Sequence, residues 1–265
     1  MKKFWFILTA LVATCFLVAC SGRQGVSPKT IKEKKKIVVA SESEFAPFEF
    51  KSLVNGKDTL VGADIELAKA IGEKLGVKVE FSVMSFDNVL ANVQSGKADI
   101  AIAGISVTDE RKKVYDFSDS YYTSENVVIV KKDKVNDYTS TDSLAKQTVG
   151  TQKGSVQETV AKKQIPKASV VSLTSNGEMI NELKSGQLQA VVLEKAIAEG
   201  YIAQNDDLTL ANFNLKSDGT DAYAVATRKG SDDLLKEINA VIKETKDSGK
   251  FDQWLKEAST YKQSK

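Results

Sequence analysis

The segment 103–111, AGISVTDER, places an arginine at the point where a buried strand gives way to a helix. Thr108 can cap that helix, and the first turn carries two acids, which the helix dipole favours. Arg111 falls in the same turn, where a cation is disfavoured, and a local rule broken at a strand's carboxyl end is typical of a functional position. An arginine fork beside exposed backbone N–H groups can hold a carboxylate through two parallel hydrogen bonds. The alternative is a surface arginine paired with a nearby acid.

The composition excludes several kinds of chemistry. Histidine is absent, and the two cysteines, Cys15 and Cys20, both lie at the N-terminus. Beyond residue 20 the chain therefore has no histidine base, cysteine nucleophile, disulfide or zinc cluster, and we predict neither a metal nor a cofactor. Lys and Arg number 37 against 35 Asp and Glu. Loss of Lys2 and Lys3 with a signal peptide would leave the charge near zero, so no nucleic-acid partner is predicted.

The N-terminus has the pattern of an export signal. Two lysines precede an apolar run over residues 4–18, which is short for a membrane span but suits a signal peptide. The run ends in LVAC, which resembles the lipobox of bacterial lipoproteins, in which cleavage leaves the cysteine as a lipid-modified first residue. We therefore predict a signal peptide over 1–19, a palmitate-type lipid on Cys20 and a flexible tether over 20–36. The alternative is an ordinary signal peptide with an incidental cysteine.

Strands and helices alternate along the rest of the chain, which predicts βαβ units and parallel sheets. The stretches 92–103 and 182–193 echo one another, because each contains a helix, a Ser-Gly stop and a buried strand. This echo indicates two lobes of similar architecture. Since ligands of open α/β sheets bind beyond the carboxyl ends of the strands, two such ends facing each other would form a cleft.

Several motifs resemble the bacterial polar amino-acid-binding proteins of ABC importers. They are ISVTDER at 105–111, DFSDSYY at 116–122, EFAPFEF at 44–50 and LVGADI at 60–65, and the resemblance covers residues 37–258. It implies an α/β fold of the type II periplasmic-binding class, with two lobes built on mixed, mostly parallel sheets and joined by a two-segment hinge. The expected boundaries are 37–124 for the first lobe, 125–221 for the second lobe and 222–265 for a return to the first.

The same resemblance implies a ligand site in the first lobe. Arg111 and the backbone of Ser106 would bind the α-carboxylate of an amino acid, while Gly104 and Ser106 would hold the α-amino group through a carbonyl and a hydroxyl. Phe45 and Phe86 fall where the family packs aromatic or apolar groups around the ligand side chain. For isolated phenylalanines, a place in the core remains the alternative.

The second lobe and one further acid would complete this site. Ser155, Val156 and Gln157 begin a helix, and by the resemblance the Val156 N–H would complete the carboxylate site, although Ser155 could be a helix cap only. Glu194 stands where the family has an aspartate for the α-amino group; the alternative is a solvated charge. The resemblance places Glu42, just past the first strand, at a family position that can reach the ligand side chain; the alternative is an exposed loop acid.

The expected function is binding of a free polar or basic amino acid and its delivery to an ABC permease and ATPase. A carboxylate between aromatic rings favours a cationic ligand, arginine, lysine or histidine, over glutamine. The protein would be a monomer on the outer face of the bacterial membrane and not an enzyme. One alternative is a dehydratase-like enzyme on the same fold, with Glu42 or Glu194 as acid or base. Another is a sensor or adhesin lobe without a transport role.

Overall fold

The computed structural model describes residues 25–217, 219 and 221–263. The predicted signal peptide and Cys20 lie outside these residues. Within them, no helix combines the length and the apolar character that a membrane crossing requires.

The first of two large sheets is mixed. In spatial order its strands are Lys78–Val83 (β5), Lys36–Ser41 (β1), Ile100–Ala101 (β6), Ala226–Arg228 (β15) and Tyr115–Phe117 (β7). Strand β1 pairs in parallel with β5 and β6, while β15 runs antiparallel to β6 and β7. We call this sheet and the helices around it the first lobe. Its helices are Pro28–Lys34 (α1), Ala63–Leu75 (α2), Phe86–Gln94 (α3), Asp109–Lys112 (α4), Asp232–Asp247 (α8) and Lys250–Ala258 (α9).

The second large sheet repeats the scheme. In spatial order its strands are Ser169–Leu173 (β11), Thr148–Gln152 (β10), Ala190–Glu194 (β12), Asn126–Lys131 (β9) and Leu208–Leu210 (β13). Strand β10 pairs in parallel with β11 and β12, while β9 runs antiparallel to β12 and β13. The second lobe consists of this sheet with the helices Val156–Gln164 (α5), Asn176–Ser185 (α6) and Lys195–Ala203 (α7), and with the short 3-10 turns Lys132–Lys134 and Asp142–Leu144.

Two smaller sheets complete the framework. A three-stranded antiparallel sheet of Glu44–Phe45 (β2), Glu49–Val54 (β3) and Lys57–Val61 (β4) packs beside α2 in the first lobe. The chain passes between the lobes at Tyr122–Thr123 (β8) and Ala222–Tyr223 (β14), which pair antiparallel. Because the two crossing segments are bonded to each other, they form a paired connection between the lobes.

Apolar periodicity explains how the helices attach to the sheets. In α2 the buried residues Leu67, Ala68 and Ile71 share one face, and the helix ends at Gly76 in the left-handed conformation that glycine adopts readily. Helix α2 packs against α8 and α9. Burying each such leucine or isoleucine contributes about 1.5–3 kcal/mol, so this layer holds the first lobe together.

The region predicted as a flexible tether is folded from residue 25 onward. Ser27 caps α1 by accepting a hydrogen bond from the Thr30 N–H, and Ile31 is fully buried. The Val26 N–H donates to Ser231 Oγ at 2.8 Å. The polar composition of 20–36 hides this helix, because one buried isoleucine is too little for a periodic pattern.

Candidate functional site

The predicted site residues follow the carboxyl ends of strands from both sheets. Glu42 follows β1 and Gly104 follows β6, whereas Ser155 follows β10 and Glu194 ends β12. Parallel strands end at one edge of a sheet, so this edge of each lobe carries the polar groups. Contacts between the two edges define an interlobe cleft.

Arg111 bridges the lobes within this cleft. Its position is fixed by Thr108, whose hydroxyl caps α4 by accepting from the Arg111 N–H at 3.1 Å. The guanidinium donates from Nη1 to the Ser106 carbonyl at 2.7 Å and from Nη2 to the Gly154 carbonyl of the second lobe at 3.1 Å. Burial lowers the pKa of Arg111, and the charge of Glu194 opposes this shift. Arginine keeps its proton in proteins, so the site contains a desolvated cation.

Glu42 is buried and contacts the other lobe. Its carboxylate accepts from Gln152 Nε2, with distances of 3.1 Å to Oε1 and 3.2 Å to Oε2. Burial raises the pKa of Glu42 to about 8, against the opposing effect of Gln152 and with reinforcement from the charges of Glu44 and Glu194. In the described part of the chain no lysine or arginine is ion-paired with Glu42. Burial without a paired cation favours the protonated form of this acid.

Glu194 is a second buried acid. It is 6% exposed at the end of β12, and burial raises its pKa to about 7, while Gln157 and Arg111 oppose the rise. The Gln157 amide also donates to Asn126 Oδ1 at 2.7 Å, and the Asn126 amide donates to Asp221 Oδ1 at 3.1 Å. A chain of amides therefore links Glu194 to the connection between the lobes.

The two predicted aromatic residues take different places. Phe45 lies in an aromatic cluster, with its ring centroid 5.8 Å from Phe48 and 6.2 Å from Tyr223. The Phe45 ring also lies against Gly104, where a Cβ atom would come within 2.5 Å of it. Gly104 has φ +53, so the close approach and the backbone both favour glycine. Phe86 begins α3, and its ring centroid is 5.8 Å from the Arg111 guanidinium carbon.

The start of α5 faces Arg111 across a cavity of about 760 Å³. Ser155 occupies the N-cap position, yet its hydroxyl donates to the Gln152 carbonyl at 2.7 Å and caps no N–H of the helix. The cavity is lined from both lobes, and its walls include Thr108, Arg111, Ser155 and Val156. Of the predicted site residues, three line this cavity: Arg111, Ser155 and Val156. The others lie outside its lining: Glu42, Phe45, Phe86, Gly104, Ser106, Gln157 and Glu194.

Further contacts hold the lobes together. Lys153 Nζ lies 3.0 Å from Asp87 Oδ2. Glu44 Oε2 accepts from Ser175 Oγ at 2.7 Å and from the Gly177 N–H at 3.1 Å, at the start of α6. Glu44 therefore binds the second lobe. With the Arg111 and Glu42 contacts, these bonds describe a closed cleft.

Sequence reasoning missed three residues that support the site. Gln152 holds Glu42, and Asn126 supports Gln157. Asp64 Oδ2 accepts from the Gly104 N–H at 3.1 Å and from the Tyr121 hydroxyl at 2.8 Å. Gln152 ends β10, so the rule that ligands bind at carboxyl ends of strands could have found it. The pairing of Asp64 with Gly104 has no local signal.

Two α/β lobes that close on buried acids and a half-buried guanidinium define a two-lobed ligand-binding protein. The chain belongs to the bacterial extracellular solute-binding proteins, family 3, whose profile matches residues 37–258. Members of this family are solute-binding proteins and act outside the cytoplasm. The family predicted from the sequence motifs is confirmed.

Individual relatives span almost the whole chain. The arginine-binding extracellular protein ArtP of Bacillus subtilis (strain 168) is 34% identical over 261 residues, which are 97% of each chain. The glutamine-binding protein GlnH of the same strain is 32% identical over 277 residues, covering 97% of this chain and 98% of its own. The crystal structure of AbpA from Streptococcus pneumoniae Canada MDR_19A, bound to L-arginine, has a TM-score of 0.86 at 50% identity, covering 89% of this chain and 100% of AbpA. The predicted fold class is thereby confirmed.

Proposed function

We propose that the protein binds a free L-amino acid with a cationic side chain, arginine foremost, between its lobes and delivers it to an ABC permease and ATPase. The observation that carries this proposal is Glu42, a buried acid held by an amide and paired with no cation of the described chain. Names of relatives agree in part, since ArtP is called arginine-binding and AbpA was solved with L-arginine, whereas GlnH is called glutamine-binding.

The main-chain end of the ligand would be held by three sets of groups. Its carboxylate would bind the Arg111 guanidinium, the Ser106 backbone and the N–H groups at the start of α5, contributed by Val156 and Gln157. The Arg111 bonds to two backbone carbonyls would then be exchanged for stronger bonds to a charged carboxylate. The ligand's α-amino group would bind the Gly104 carbonyl, the Ser106 hydroxyl and the Glu194 carboxylate.

The side-chain end of the ligand would lie near Glu42. Phe45 and Phe86 would form the apolar walls around it. The guanidinium of a bound arginine ligand would pair with the Glu42 carboxylate, while Gln152 holds that carboxylate in place. Aromatic faces also attract cations, which adds to the preference for arginine.

Glutamine is the second candidate ligand. With a pKa near 8, Glu42 is mostly protonated at neutral pH, and a protonated carboxyl can both donate to and accept from an amide. Glu42 could therefore bind either ligand, as a carboxylate with arginine or as a protonated carboxyl with glutamine. One experiment on Glu42 distinguishes the two ligands.

The test is calorimetric competition among arginine, lysine, histidine and glutamine on the wild type and on Glu42→Gln. We expect arginine to bind the wild type most tightly and to lose about 2 kcal/mol or more in the variant, because its cation would face a neutral amide. Glu73→Gln, an exposed glutamate of α2, is the matched control and should leave the order unchanged. Preference for glutamine on the wild type would contradict the arginine proposal, as would an unchanged arginine affinity in Glu42→Gln.

We also propose that Cys20 carries a lipid with a palmitoyl chain, which anchors the protein to the outer face of the membrane. The protein would be a monomer. The LVAC motif at residues 17–20 supports this. Cys20→Ala should release the protein or leave it unprocessed, and it should not incorporate a palmitate analogue in labelled cells. A Cys20→Ala variant processed and retained like the wild type would contradict the anchor.

The proposal includes the absence of catalysis. Amino acid bound by the protein should be recovered chemically unchanged after long incubation. Any turnover of arginine or glutamine that is lost in Glu42→Gln would instead support the dehydratase-like alternative.

A further inference from the structure

The folded body of the protein begins close to the proposed lipid anchor. The Val26 side chain is buried, and its N–H donates to Ser231 Oγ. Gly25 packs on the backbone of Gly230 so tightly that a Cβ atom on Gly25 would lie 2.0 Å from the Gly230 carbonyl oxygen. From residue 25 onward the chain is therefore held on the first lobe.

The length of chain between Cys20 and Gly25 limits how far this lobe can lie from the bilayer. Five residue steps separate the two positions, and a fully extended chain spans at most about 3.6 Å per residue. If Cys20 is lipidated, as proposed above, Gly25 lies within about 18 Å of the lipid. A tether over 20–36 would have allowed about three times that distance.

Helix α1, which follows Gly25 directly, presents lysines to solvent. Its Ile31 is buried against the body, whereas Lys29 and Lys32 lie on the outer side of the helix and Lys35 follows its end. These three lysines are exposed and form no ion pair with other described residues. We call Lys29, Lys32 and Lys35 the α1 basic face.

Neighbouring charges reduce the field of this face without cancelling it. Lys34 and Lys36 are already paired with Asp99 and Glu80. Glu33 is an exposed acid on the same helix, and Asp232 and Asp233 are exposed in the first turn of α8, just after Ser231. Within α1 and its cap, three unpaired lysines against Glu33 leave a positive surface.

We propose that the α1 basic face is a docking surface for anionic lipid headgroups, which holds the first lobe against the bilayer next to the anchor. Each lysine near an anionic surface strengthens binding about fivefold, so the three together contribute on the order of a hundredfold. The contact is electrostatic, so its strength falls off over the Debye length, which is about 10 Å at about 0.1 M salt, and higher salt weakens it. The first lobe would then be the fixed lobe, and the second lobe would move when the cleft opens.

The experiment supplies the anchor chemically, so that it does not depend on lipidation in the cell. After removal of residues 1–19, Cys20 is the one thiol in the sequence, so the mature chain can be coupled to a maleimide lipid in vesicles. One set of vesicles is phosphatidylcholine alone, and the other contains one part of phosphatidylglycerol to two of phosphatidylcholine. Acylation of each lysine by a water-soluble reagent is followed by mass spectrometry.

We expect acylation of the α1 basic face to slow severalfold on the anionic vesicles and to recover at high salt. Lys132, Lys146 and Lys216 are exposed and unpaired lysines of the second lobe, and they should react equally on both vesicles. Equal rates for the α1 lysines on both vesicles would overturn the proposal, as would equal slowing of all six lysines.

A second measurement uses the unanchored Cys20→Ser chain. The triple variant Lys29→Gln, Lys32→Gln, Lys35→Gln should lose on the order of a hundredfold in co-sedimentation with anionic vesicles. The matched control is Lys132→Gln, Lys146→Gln, Lys216→Gln, which also includes one left-handed position, since Lys146 has φ 64 and Lys35 has φ 56. Equal loss in both triples would contradict a defined docking face. If the chain docks on anionic vesicles but takes up no palmitate analogue in cells, the lipid anchor on Cys20 is contradicted and the docking face is not.

Discussion

Arg111 shows how a single residue unites the two lobes. The helix that carries it is one turn long, so the guanidinium reaches back to the Ser106 carbonyl of its own lobe and across to Gly154 of the other. The half-buried Arg111 cation bonds only backbone carbonyls, and a carboxylate ligand would supply the opposite charge. Ligand binding would therefore act on the same side chain that joins the lobes.

The first prediction concerns this residue. Arg111→Ala should weaken arginine binding by about 2–5 kcal/mol, because it removes a buried charge-assisted pair, and Arg111→Lys should not fully rescue binding, because lysine lacks the planar fork. Calorimetry gives the affinity, and circular dichroism checks the fold. Lys112→Ala, an exposed neighbour on α4, is the control. Wild-type affinity in the alanine variant would exclude the assignment.

The second prediction is a pH dependence of binding. The pKa values of Glu42 and Glu194 are raised to about 8 and about 7, so both acids are partly protonated at neutral pH in the free protein. A cationic ligand pairs with the ionised forms, so these acids must release protons on binding. Arginine affinity should rise as pH increases from about 6 to about 8. Calorimetry in buffers of different ionisation enthalpy should detect proton release, less of it in Glu42→Gln. An affinity that is flat or falls over this range would contradict the account.

At the scale of elements, local patterns predicted the strands, the helix starts and the Ser-Gly stops. The repeated helix, stop and buried strand also indicated two lobes of similar architecture, and β6 and β12 take equivalent places in the two sheets. The contact between Glu42 and Gln152 could not be predicted, because it joins residues far apart in sequence through the packing of two lobes. The contact between Glu44 and Ser175, at the start of α6, could not be predicted for the same reason.

The third prediction follows from that interlobe contact. Glu44 accepts two hydrogen bonds at the N-terminus of α6, where the helix dipole favours an acid. Glu44→Gln should weaken closure by about 0.3–1 kcal/mol and lower the affinities for arginine and glutamine by the same factor. Glu42→Gln should instead change their ratio. A selective loss of arginine binding in Glu44→Gln would show that Glu44 contacts the ligand side chain.

At the scale of the molecule, the buried acids reduce the stability of the unliganded protein. Glu49 is fully buried, and burial beside Asp64 raises its pKa well above the ordinary range, while burial raises the pKa of Asp64 to about 6. Glu42 and Glu194 behave in the same way. An acid with a raised pKa in the folded state binds its proton more tightly there than in the unfolded state. Proton binding therefore stabilises the fold at low pH, and this stabilisation is lost as the pH rises through the raised pKa.

The fourth prediction is therefore that the free energy of unfolding of the ligand-free protein falls as pH rises from about 5 to about 8. Each such acid contributes at most about 1.4 kcal/mol for each pH unit between its ordinary and its raised pKa. Urea unfolding over this range should show a smaller fall for Glu49→Gln, which cannot ionise, and a wild-type profile for Glu73→Gln. Stability that rises with pH in the wild type would contradict the protonated state of these acids.

Charge recognition at Glu42 is the central claim, and comparison of arginine with citrulline tests it most directly. Citrulline has nearly the shape of arginine, but its urea group is neutral and has a carbonyl acceptor in place of one NH2 donor group of the guanidinium. We expect the wild type to bind arginine at least about thirtyfold more tightly than citrulline, which corresponds to about 2 kcal/mol, and the Glu42→Gln variant to lose most of this difference. Equal affinities of the wild type for arginine and citrulline would contradict a cation-binding cleft.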